Sequence, residues 1–443
     1  MSVITFTGAK APLGKFLESC PAGWAVATFG DVAETQLGKM LSQKTRPAGN
    51  PKPYLRNQNV QWGRFDLRDV WNLEIRPDEA KRFQLVAGDL LICEGGEVGR
   101  AAIWNGEIAD CYYQKALHRV RPGPRASARY LYWIMTLYKA RDLLQGFSTG
   151  TTISHLPQEA LRELPLPIPP LDEQRRLVNA LENQINRVAS AVDGVQRAVT
   201  QTDSLERSIL VHAFREASAL SVGSFRLGQI SEVRLGRQRS PKNHTGQHMK
   251  SYLRAANIGW SGLLLDDVKQ MNFVPREQAV YRLLPGDIIL SEASGSRNEV
   301  GKPAIWLGEL TDCHFQNTLL RVRPKAGVEP RYLLAFFRML ARTGAFARTS
   351  RGVGIHHLGA HTLGSWEVPL PSAADQRRLV ARLDEALLSV TRLRSELRIA
   401  LARATKLRNA ILNAAFTGKL SMGFEATQDG EMAQSHQLAG LPL

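Results

Sequence analysis

Three short segments carry residue types that could perform catalysis, and each departs from the motif that it approximates. Residues 50–54 (NPKPY) approximate the Asn-Pro-Pro-Tyr loop of adenine methyltransferases, but Lys52 interrupts the loop and no glycine motif for a cofactor accompanies it. Residues 77–81 (PDEAK) contain the letters of a nuclease metal motif, yet such carboxylates normally come from separate strands, so we predict a helix start there. Residues 8–15 miss the spacing of a phosphate-binding loop, and Phe16 stands where Ser or Thr is required. The sequence therefore predicts no catalytic residues.

The cysteines and histidines predict neither a metal site nor a disulfide framework. The cysteines show no Cys-x-x-Cys spacing, so we expect reduced thiols. His155 has no second ligand at suitable spacing, and the adjacent side chains of His356 and His357 should point apart. A hydrogen bond within a loop is therefore the expected role of these histidines. The four cysteines are Cys20, Cys93, Cys111 and Cys313.

The balance of charge favours a polyanionic partner. The 443 residues include 57 Lys and Arg against 41 Asp and Glu, which gives a formal net charge of +16. Basic side chains neutralise phosphates and release counterions, and the planar fork of arginine suits both phosphates and the guanine edge. The chain has no run of about 18 apolar residues and no signal-peptide pattern, so we expect a cytoplasmic protein.

The sequence contains an internal duplication. Residues 54–62 (YLRNQNVQW) return as residues 252–260 (YLRAANIGW), displaced by 198 positions. After a short insertion the displacement becomes 202, and residues 174–178 (QRRLV) return as 376–380. This period is far longer than that of solenoid repeats, so each copy should be a domain with its own core. We expect a pseudo-two-fold symmetric arrangement within one chain.

A long helix closes each copy. After a proline-rich boundary, apolar residues follow at spacings of three and four, which indicates an amphipathic helix of about 42 residues, on the order of 60 Å. Ser372 and Asp375 form a capping pattern, and Gly194 should create a soft point or kink. We expect the two helices to pair antiparallel and to offer docking positions to partners. The packing positions are Leu177, Leu181, Ile185, Val188, Val192, Val195 and Leu205 in the first helix and Leu379, Leu383, Leu387, Val390, Leu397, Leu401 and Leu407 in the second.

The fold class predicted is α/β in the mixed α+β sense, with two duplicated globular domains separated by the two long antiparallel helices. Buried strands should follow Gly-Asp turns at residues 89–93 and 287–290, and helices should cover residues 128–144 and 330–344. The predicted divisions are an N-terminal extension (1–21), a first domain (22–165), a first helix (166–218), a second domain (219–370), a second helix (371–420) and a tail (421–443). We expect both terminal segments to be flexible.

Residues 148–178 resemble the junction between a target-recognition domain and a conserved helix in the DNA specificity subunits of type I restriction-modification systems. Residues 349–380 resemble the same junction, and the strand-loop segments 88–104 and 286–306 are similar to the recognition-domain pattern of that family. The resemblance covers about residues 22–420. Asp375 departs from the usual glutamate of the family.

The resemblance implies a noncatalytic subunit that binds double-stranded DNA. Two recognition domains, held apart and inverted by the helices, would each read one half of an asymmetric bipartite target with a fixed nonspecific spacer. Two modification (methyltransferase) subunits would dock on the helices and methylate adenine at N6 with S-adenosylmethionine, and restriction subunits would add translocation and cleavage dependent on ATP and magnesium. No cofactor would be bound by this chain, and no membrane is implied.

Polar loops near the start of each domain and near its helix junction are the candidate DNA contacts. A basic loop residue contacts a phosphate more often than it reads a base. Residues that differ between the copies should discriminate bases, whereas the equivalent Arg56 and Arg254 should serve structure or backbone docking. The candidates are Lys39, Lys44, Arg46, Arg56, Asn57, Asn59, Thr149, Thr151, Thr152 and His155 in the first copy, and Arg237, Arg239, Lys242, His244, Arg254, Asn257, Arg297, Asn298, Arg351 and His356 in the second.

Two alternative functions remain open from the sequence. A standalone duplex-DNA-binding or coiled-coil scaffold protein would act without a methyltransferase partner. A self-sufficient adenine methyltransferase or nuclease would need an intact catalytic motif.

Overall fold

The computed structural model describes residues 7–40, 51–150, 154–294, 299–349 and 356–420. Its contacts divide the chain into a first unit (residues 1–194 and 401–443) and a second unit (residues 195–400). Both boundaries fall inside the long helices predicted from sequence, so each unit contains one repeat of the globular domain and a part of each long helix.

The first repeat is built from short strands and helices that end in the first long helix. Its helices are α1 (Ala11–Glu18), α2 (Phe29–Val32), α3 (Pro77–Phe83), α4 (Ala128–Ala140), α5 (Gln158–Glu163) and α6 (Leu171–Leu220). Its strands are β1 (Ala25–Thr28), β2 (Ala33–Leu37), β3 (Pro51–Leu55), β4 (Val60–Gln61), β5 (Arg64–Phe65), β6 (Trp71–Glu74), β7 (Leu90–Cys93), β8 (Ala101–Ile103), β9 (Tyr112–Tyr113), β10 (Leu117–Pro122) and β11 (Pro165–Ile168).

The second repeat gives nearly the same succession. Its helices are α7 (Leu227–Ile230), α8 (Pro275–Tyr281), α9 (Pro330–Arg342), α10 (Ala345–Thr349), α11 (Ala360–Gly364) and α12 (Ala373–Phe416). Its strands are β12 (Ser224–Arg226), β13 (Ser231–Leu235), β14 (Met249–Leu253), β15 (Ile258–Gly259), β16 (Gly262–Leu263), β17 (Lys269–Asn272), β18 (Ile288–Ser291), β19 (Ala293–Ser294), β20 (Pro303–Ile305), β21 (His314–Phe315), β22 (Leu319–Pro324), β23 (His356–His357) and β24 (Glu367–Pro369).

The sheet topology confirms the duplication. The order β2-β10-β7-β8 in the first unit returns as β13-β22-β18-β20 in the second, and β6-β3-β9 returns as β17-β14-β21. In each three-stranded sheet the last pair, β3 with β9 and β14 with β21, is parallel, whereas the ladders of the four-stranded sheets are antiparallel. The mixed helix-and-strand class and the helices predicted at residues 128–144 and 330–344 are thus confirmed, with ends shorter by a few residues.

A buried ion pair explains why the Gly-Asp turn and a later arginine recur together. Gly88 and Gly286 have φ angles of 96° and 94°, a left-handed conformation that glycine adopts without steric cost. The following Asp89 is fully buried, and both its carboxylate oxygens accept hydrogen bonds from Arg121, at 2.7 and 2.8 Å. Asp287 and Arg323 repeat this bidentate contact at 2.7 Å twice. Such pairs hold the turn against the four-stranded sheet.

The two long helices are α6 and α12, with 50 and 44 residues, somewhat longer than predicted. Within the second unit they run antiparallel, because Arg394 contacts Thr202 while Arg382 contacts Glu216. The capping pattern is confirmed, since the Ser372 hydroxyl accepts a hydrogen bond from the Asp375 backbone N–H at 3.2 Å. The helix α6 continues through Gly194 without a break in its assignment.

Eight of the fourteen predicted packing positions are buried or lie at the edge of a core, four are half-buried and two are exposed. Leu177 and Leu181 are buried in the first unit with Ile185 and Val188 at the edge of the cluster, and Leu379, Leu383 and Val390 are buried in the second with Leu387 at the edge. Val192, Val195, Leu397 and Leu401 are half-buried. Leu205 and Leu407 are 46% and 51% exposed, so their assignment to the packing stripe was wrong. An apolar repeat that does not equal the helical period drifts around a helix of this length.

The N-terminal segment is folded where it is described, contrary to the flexible extension predicted for it. Leu13 and Phe16 on α1 are buried in the core of the first unit, where Phe16 meets Tyr138 edge to face at 5.7 Å. Residues 421–443, the predicted flexible tail, lie outside the described residues. No helix in the described part of the chain has both the length and the apolar content for a membrane crossing.

Candidate nucleic-acid interface

Several of the candidate DNA contacts turn out to hold the domains together. Lys39 is 6% exposed and forms an ion pair with Glu79 on α3. Its equivalent Arg237 is 8% exposed and contacts Glu277 on α8 at 2.8 Å, with its guanidinium 5.1 Å from the centre of the Phe273 ring. Both cations are enclosed and neutralised by their own unit. The two cations thus have a structural role, and their assignment as DNA contacts stays a prediction.

A second pair of candidates anchors a hairpin in each unit. Asn59 is 2% exposed, and its Nδ2 donates to the carbonyl oxygens of Asp66 and Asp69 at 2.8 and 2.9 Å. Asn257 makes the same contacts to Leu264 and Asp267 at 2.8 and 3.2 Å. The amide donors of both asparagines are used inside the fold, so these side chains tie the hairpin to its own unit. Their assignment as DNA contacts stays a prediction.

Arg56 and Arg254, expected to serve structure or backbone docking, each make a structural contact beside the base of this hairpin. Arg56 donates to the Asp69 carboxylate at 2.7 Å, and Arg254 donates to Asp267 at 2.5 Å. Asn57 is also engaged, because its Oδ1 accepts from Arg100 at 2.8 Å. The three side chains nevertheless remain partly exposed, so contact with a phosphate is compatible with their positions.

Three candidates lie near the junction of each domain with its long helix. In the first unit Thr149 and His155 are exposed and pair through two backbone hydrogen bonds of 2.8 Å, beside the turn that begins at Gly95. Glu94 lies at this turn, and partial burial raises the pKa of its carboxyl against the opposing positive charges of His155 and Lys115. In the second unit His356 lies on β23, and the neighbouring His357 contacts Glu292 at 3.2 Å. The loop hydrogen bond predicted for this histidine pair is therefore found at His357.

Three further candidates surround a turn at the start of the second domain. Arg239, Lys242 and His244 are exposed, and Nε of Arg239 donates to Nε2 of His244 at 3.2 Å. The remaining candidates, Lys44, Arg46, Thr151, Thr152, Arg297, Asn298 and Arg351, lie outside the described residues.

Two residues beside these loops escaped the sequence analysis. Trp71 opens β6 and is 46% exposed, with its ring centre 4.1 Å from the guanidinium of Arg56. The position displaced by 198 is Lys269, which opens β17 and contacts Asp267 at 2.6 Å. Positions that differ between the two copies were expected to discriminate bases, and this criterion could have selected Trp71 and Lys269. Trp71 was not selected because tryptophan is usually a core residue.

Interior arginines reduce the positive charge available to a polyanion. Arg119 and Arg321, one in each copy of the RVRP segment, are 2% and 1% exposed and contact Glu34 and Glu232. Burial lowers the pKa of Arg321, because the charged guanidinium is removed from water. Among the described residues no group of three or more His, Cys, Asp or Glu side chains could hold a metal ion.

Comparison with known proteins identifies the class. Residues 21–191 match the family model described as "Type I restriction modification DNA specificity domain". The EcoKI type I specificity subunit of Escherichia coli K12 is 20% identical over 95% of this chain and 94% of that protein. A chain solved in a study of complex assembly and conformational transition of the type I restriction-modification system has a TM-score of 0.71 at 20% identity and covers 90% of this chain and 99% of that one. The HsdS subunit of Thermoanaerobacter tengcongensis has a TM-score of 0.55 at 19% identity over 90% of this chain and 98% of that one.

Residues 21–191 are a type I restriction modification DNA specificity domain by this match. Over 95% of its length the chain is similar to type I specificity subunits, which are noncatalytic DNA-recognition subunits. The family resemblance stated from residues 148–178 and 349–380 is therefore confirmed.

Proposed function

We propose that this chain reads an asymmetric, bipartite target in double-stranded DNA, one half with each unit. The observation that carries the proposal is the duplication of one fold with different exposed residues, such as Trp71 and Lys269, at equivalent positions. Two units with the same fold but different exposed residues are suited to two different half-sites. We assign residues 22–165 and 219–370 to the two recognition domains.

The lengths of α6 and α12 would set a fixed nonspecific spacer between the half-sites. Readers of the major groove must dock at spacings set by the helical turn of DNA, and a rigid helix keeps such a spacing constant. This role is supported by helices of 50 and 44 residues, far beyond the mean length in globular proteins.

The chemistry would belong to partner subunits. Two modification subunits would bind along the long helices and methylate adenine at N6 with S-adenosylmethionine, and restriction subunits would cleave with ATP and magnesium. Exposed apolar side chains on α12 support a docking surface for the modification subunits, since isolated charge would not explain them. These side chains are Leu388, Leu393, Ile399 and Leu407, and they are between 43% and 51% exposed. The assembly would act on DNA in the cytoplasm.

An exchange of recognition domains tests the proposal. Residues 22–165 are replaced by the corresponding domain of another specificity subunit, and methylated adenines are mapped genome-wide in a host that also carries the modification subunit. We expect one half of the methylated motif to change and the other half to remain. A change in both halves would contradict independent reading by the two units.

Co-purification separates the proposal from its alternatives. A specificity subunit should form a stable complex with its modification subunit, which a standalone DNA-binding or scaffold protein would not do. Methyl transfer or DNA cleavage by the purified chain alone would instead support a self-sufficient enzyme.

A further inference from the structure

The second unit contains a basic pocket next to the candidate loop. The pocket has a volume of about 300 Å³ and lies where the turn after Arg239 meets the antiparallel pair β14 and β17. Its floor is Tyr252, which is 2% exposed and pairs with Lys269 in the strand register. The lining residues are Arg239, His244, Tyr252, Arg254, Lys269 and Gln270.

The pocket has more positive than negative charge. Arg254 and Lys269 share one carboxylate, that of Asp267, at 2.5 and 2.6 Å. Hydrogen bonding from Lys269 holds the pKa of Asp267 below its usual range, so the carboxylate is ionised. Its single negative charge balances only one of the two cations. Arg239 is exposed, and in the described ranges it has no carboxylate within ion-pair distance. The three cations against one anion leave a surplus of positive charge.

The first unit has different residues at two positions equivalent to the rim of this pocket. At the positions equivalent to Lys269 and Gln270 it has Trp71 and Asn72. The indole of Trp71 covers the guanidinium of Arg56, and Asp69 neutralises that guanidinium at 2.7 Å. A cation at the rim of the second unit is therefore replaced by an apolar ring in the first.

We propose that the pocket of the second unit binds a backbone phosphate of the duplex. Arginine and lysine together match the charge and the hydrogen-bond acceptors of a phosphate, and the Gln270 amide adds a neutral donor. Such a contact fixes the register of a protein on DNA without reading a base. The inference rests on the proposed function, because it assumes that this face meets a duplex.

Salt dependence of DNA binding by the full-length chain tests the inference. Each phosphate contact steepens the plot of log affinity against log salt by about 0.9. We expect Lys269→Ala and Arg239→Ala, combined in one chain, to reduce the slope by about one, whereas Arg398→Ala on α12 should leave it unchanged. The altered side chains are exposed, so thermal unfolding should match that of the wild type.

The outcomes separate this inference from the proposed function. A wild-type chain with no affinity for duplex DNA would remove the proposed function and the pocket assignment together. Normal DNA binding with the same slope in wild type and the double variant would overturn the pocket assignment alone. A titration with inorganic phosphate distinguishes a free anion as the ligand: phosphate binding that the double variant loses, without a change in the DNA slope, would also overturn the assignment.

Discussion

At the scale of single residues, the two repeats use one set of contacts for the frame and another for the surface. The frame contacts are the same in both units: a cation paired with a glutamate at Lys39 and Arg237, and an asparagine that ties a hairpin at Asn59 and Asn257. A residue that recurs in both copies is therefore evidence of a structural role as much as of a functional one.

His118 should make the stability of the first unit depend on pH. The ring is buried and its Nε2 donates to the Leu156 carbonyl at 2.8 Å; burial lowers its pKa to about 4. The unfolded chain, with a histidine pKa near 6.5, binds the proton more readily, so stability present above about pH 6.5 is lost as the pH falls towards 4. We expect a loss of about 2 kcal/mol between pH 7 and pH 5 in urea unfolding.

The second repeat supplies the matched control for His118, because its equivalent position is Leu320. The variant His118→Leu should unfold with a weaker pH dependence than the wild type over the same range. An identical pH dependence in the two chains would show that His118 is protonated as easily in the folded state as in the unfolded one.

The candidate interface was only partly predictable from these residue types. Lys39, Arg237, Asn59 and Asn257 have the chemistry of DNA contacts, but the sequence did not show that their polar atoms are used inside the fold. Long-range partners such as Glu79, 40 residues from Lys39, cannot be read from local patterns. The exposed loop residues, including Thr149, His155 and Arg239, remain candidates for contact with DNA.

At the scale of elements, the periodicity of apolar residues predicted the long helices. The position of α1 near the N-terminus led to the wrong prediction that this segment is flexible. Helices α4, α6, α9 and α12 carry strong apolar repeats, and the structure has them close to the predicted bounds. The eight residues of α1 are too few to define a stripe, and its proximity to the terminus suggested flexibility. Only the tertiary contact of Phe16 with Tyr138 reveals its place in the core.

A charged cluster links α6, α9 and α12 within the second unit. Glu206 is 1% exposed and contacts Arg338 at 2.7 Å, Arg342 at 3.2 Å and Arg394 at 3.0 Å. Burial would raise the pKa of Glu206, but the charges of Arg338 and Arg342 outweigh it and lower the pKa. The cluster therefore keeps a buried carboxylate ionised between three arginines.

Removal of this carboxylate should destabilise the second unit strongly. We expect Glu206→Gln to cost about 3–5 kcal/mol, because three arginines lose the charge of their common, buried partner. The exposed Glu385→Gln on α12 should change the free energy of unfolding by less than about 0.5 kcal/mol. Equal effects of the two substitutions in denaturant unfolding would contradict a role for the cluster.

At the scale of the whole molecule, helix length should control the gap in the recognised motif. An insertion of four residues after Gly194 adds about 6 Å to α6, which corresponds to at most about two base pairs. We expect methylation mapping to show a spacer altered by one or two base pairs between unchanged half-sites. The reading loops are untouched by the insertion.

Gly194→Ala is the control of equal length. It should stabilise α6 by about 1 kcal/mol and leave the spacer as it is. Altered bases in either half-site after the insertion, with the original gap retained, would argue against helix length as its determinant.

The hairpin tied by Asn59 or Asn257 has a consequence for how new specificities arise. Its internal amide contacts do not involve the rim position, where one unit has Trp71 and the other Lys269. Under the proposed function, substitution at the rim would change how one unit contacts the duplex while the amide contacts beneath it stay as they are. The sister repeat would need no matching change.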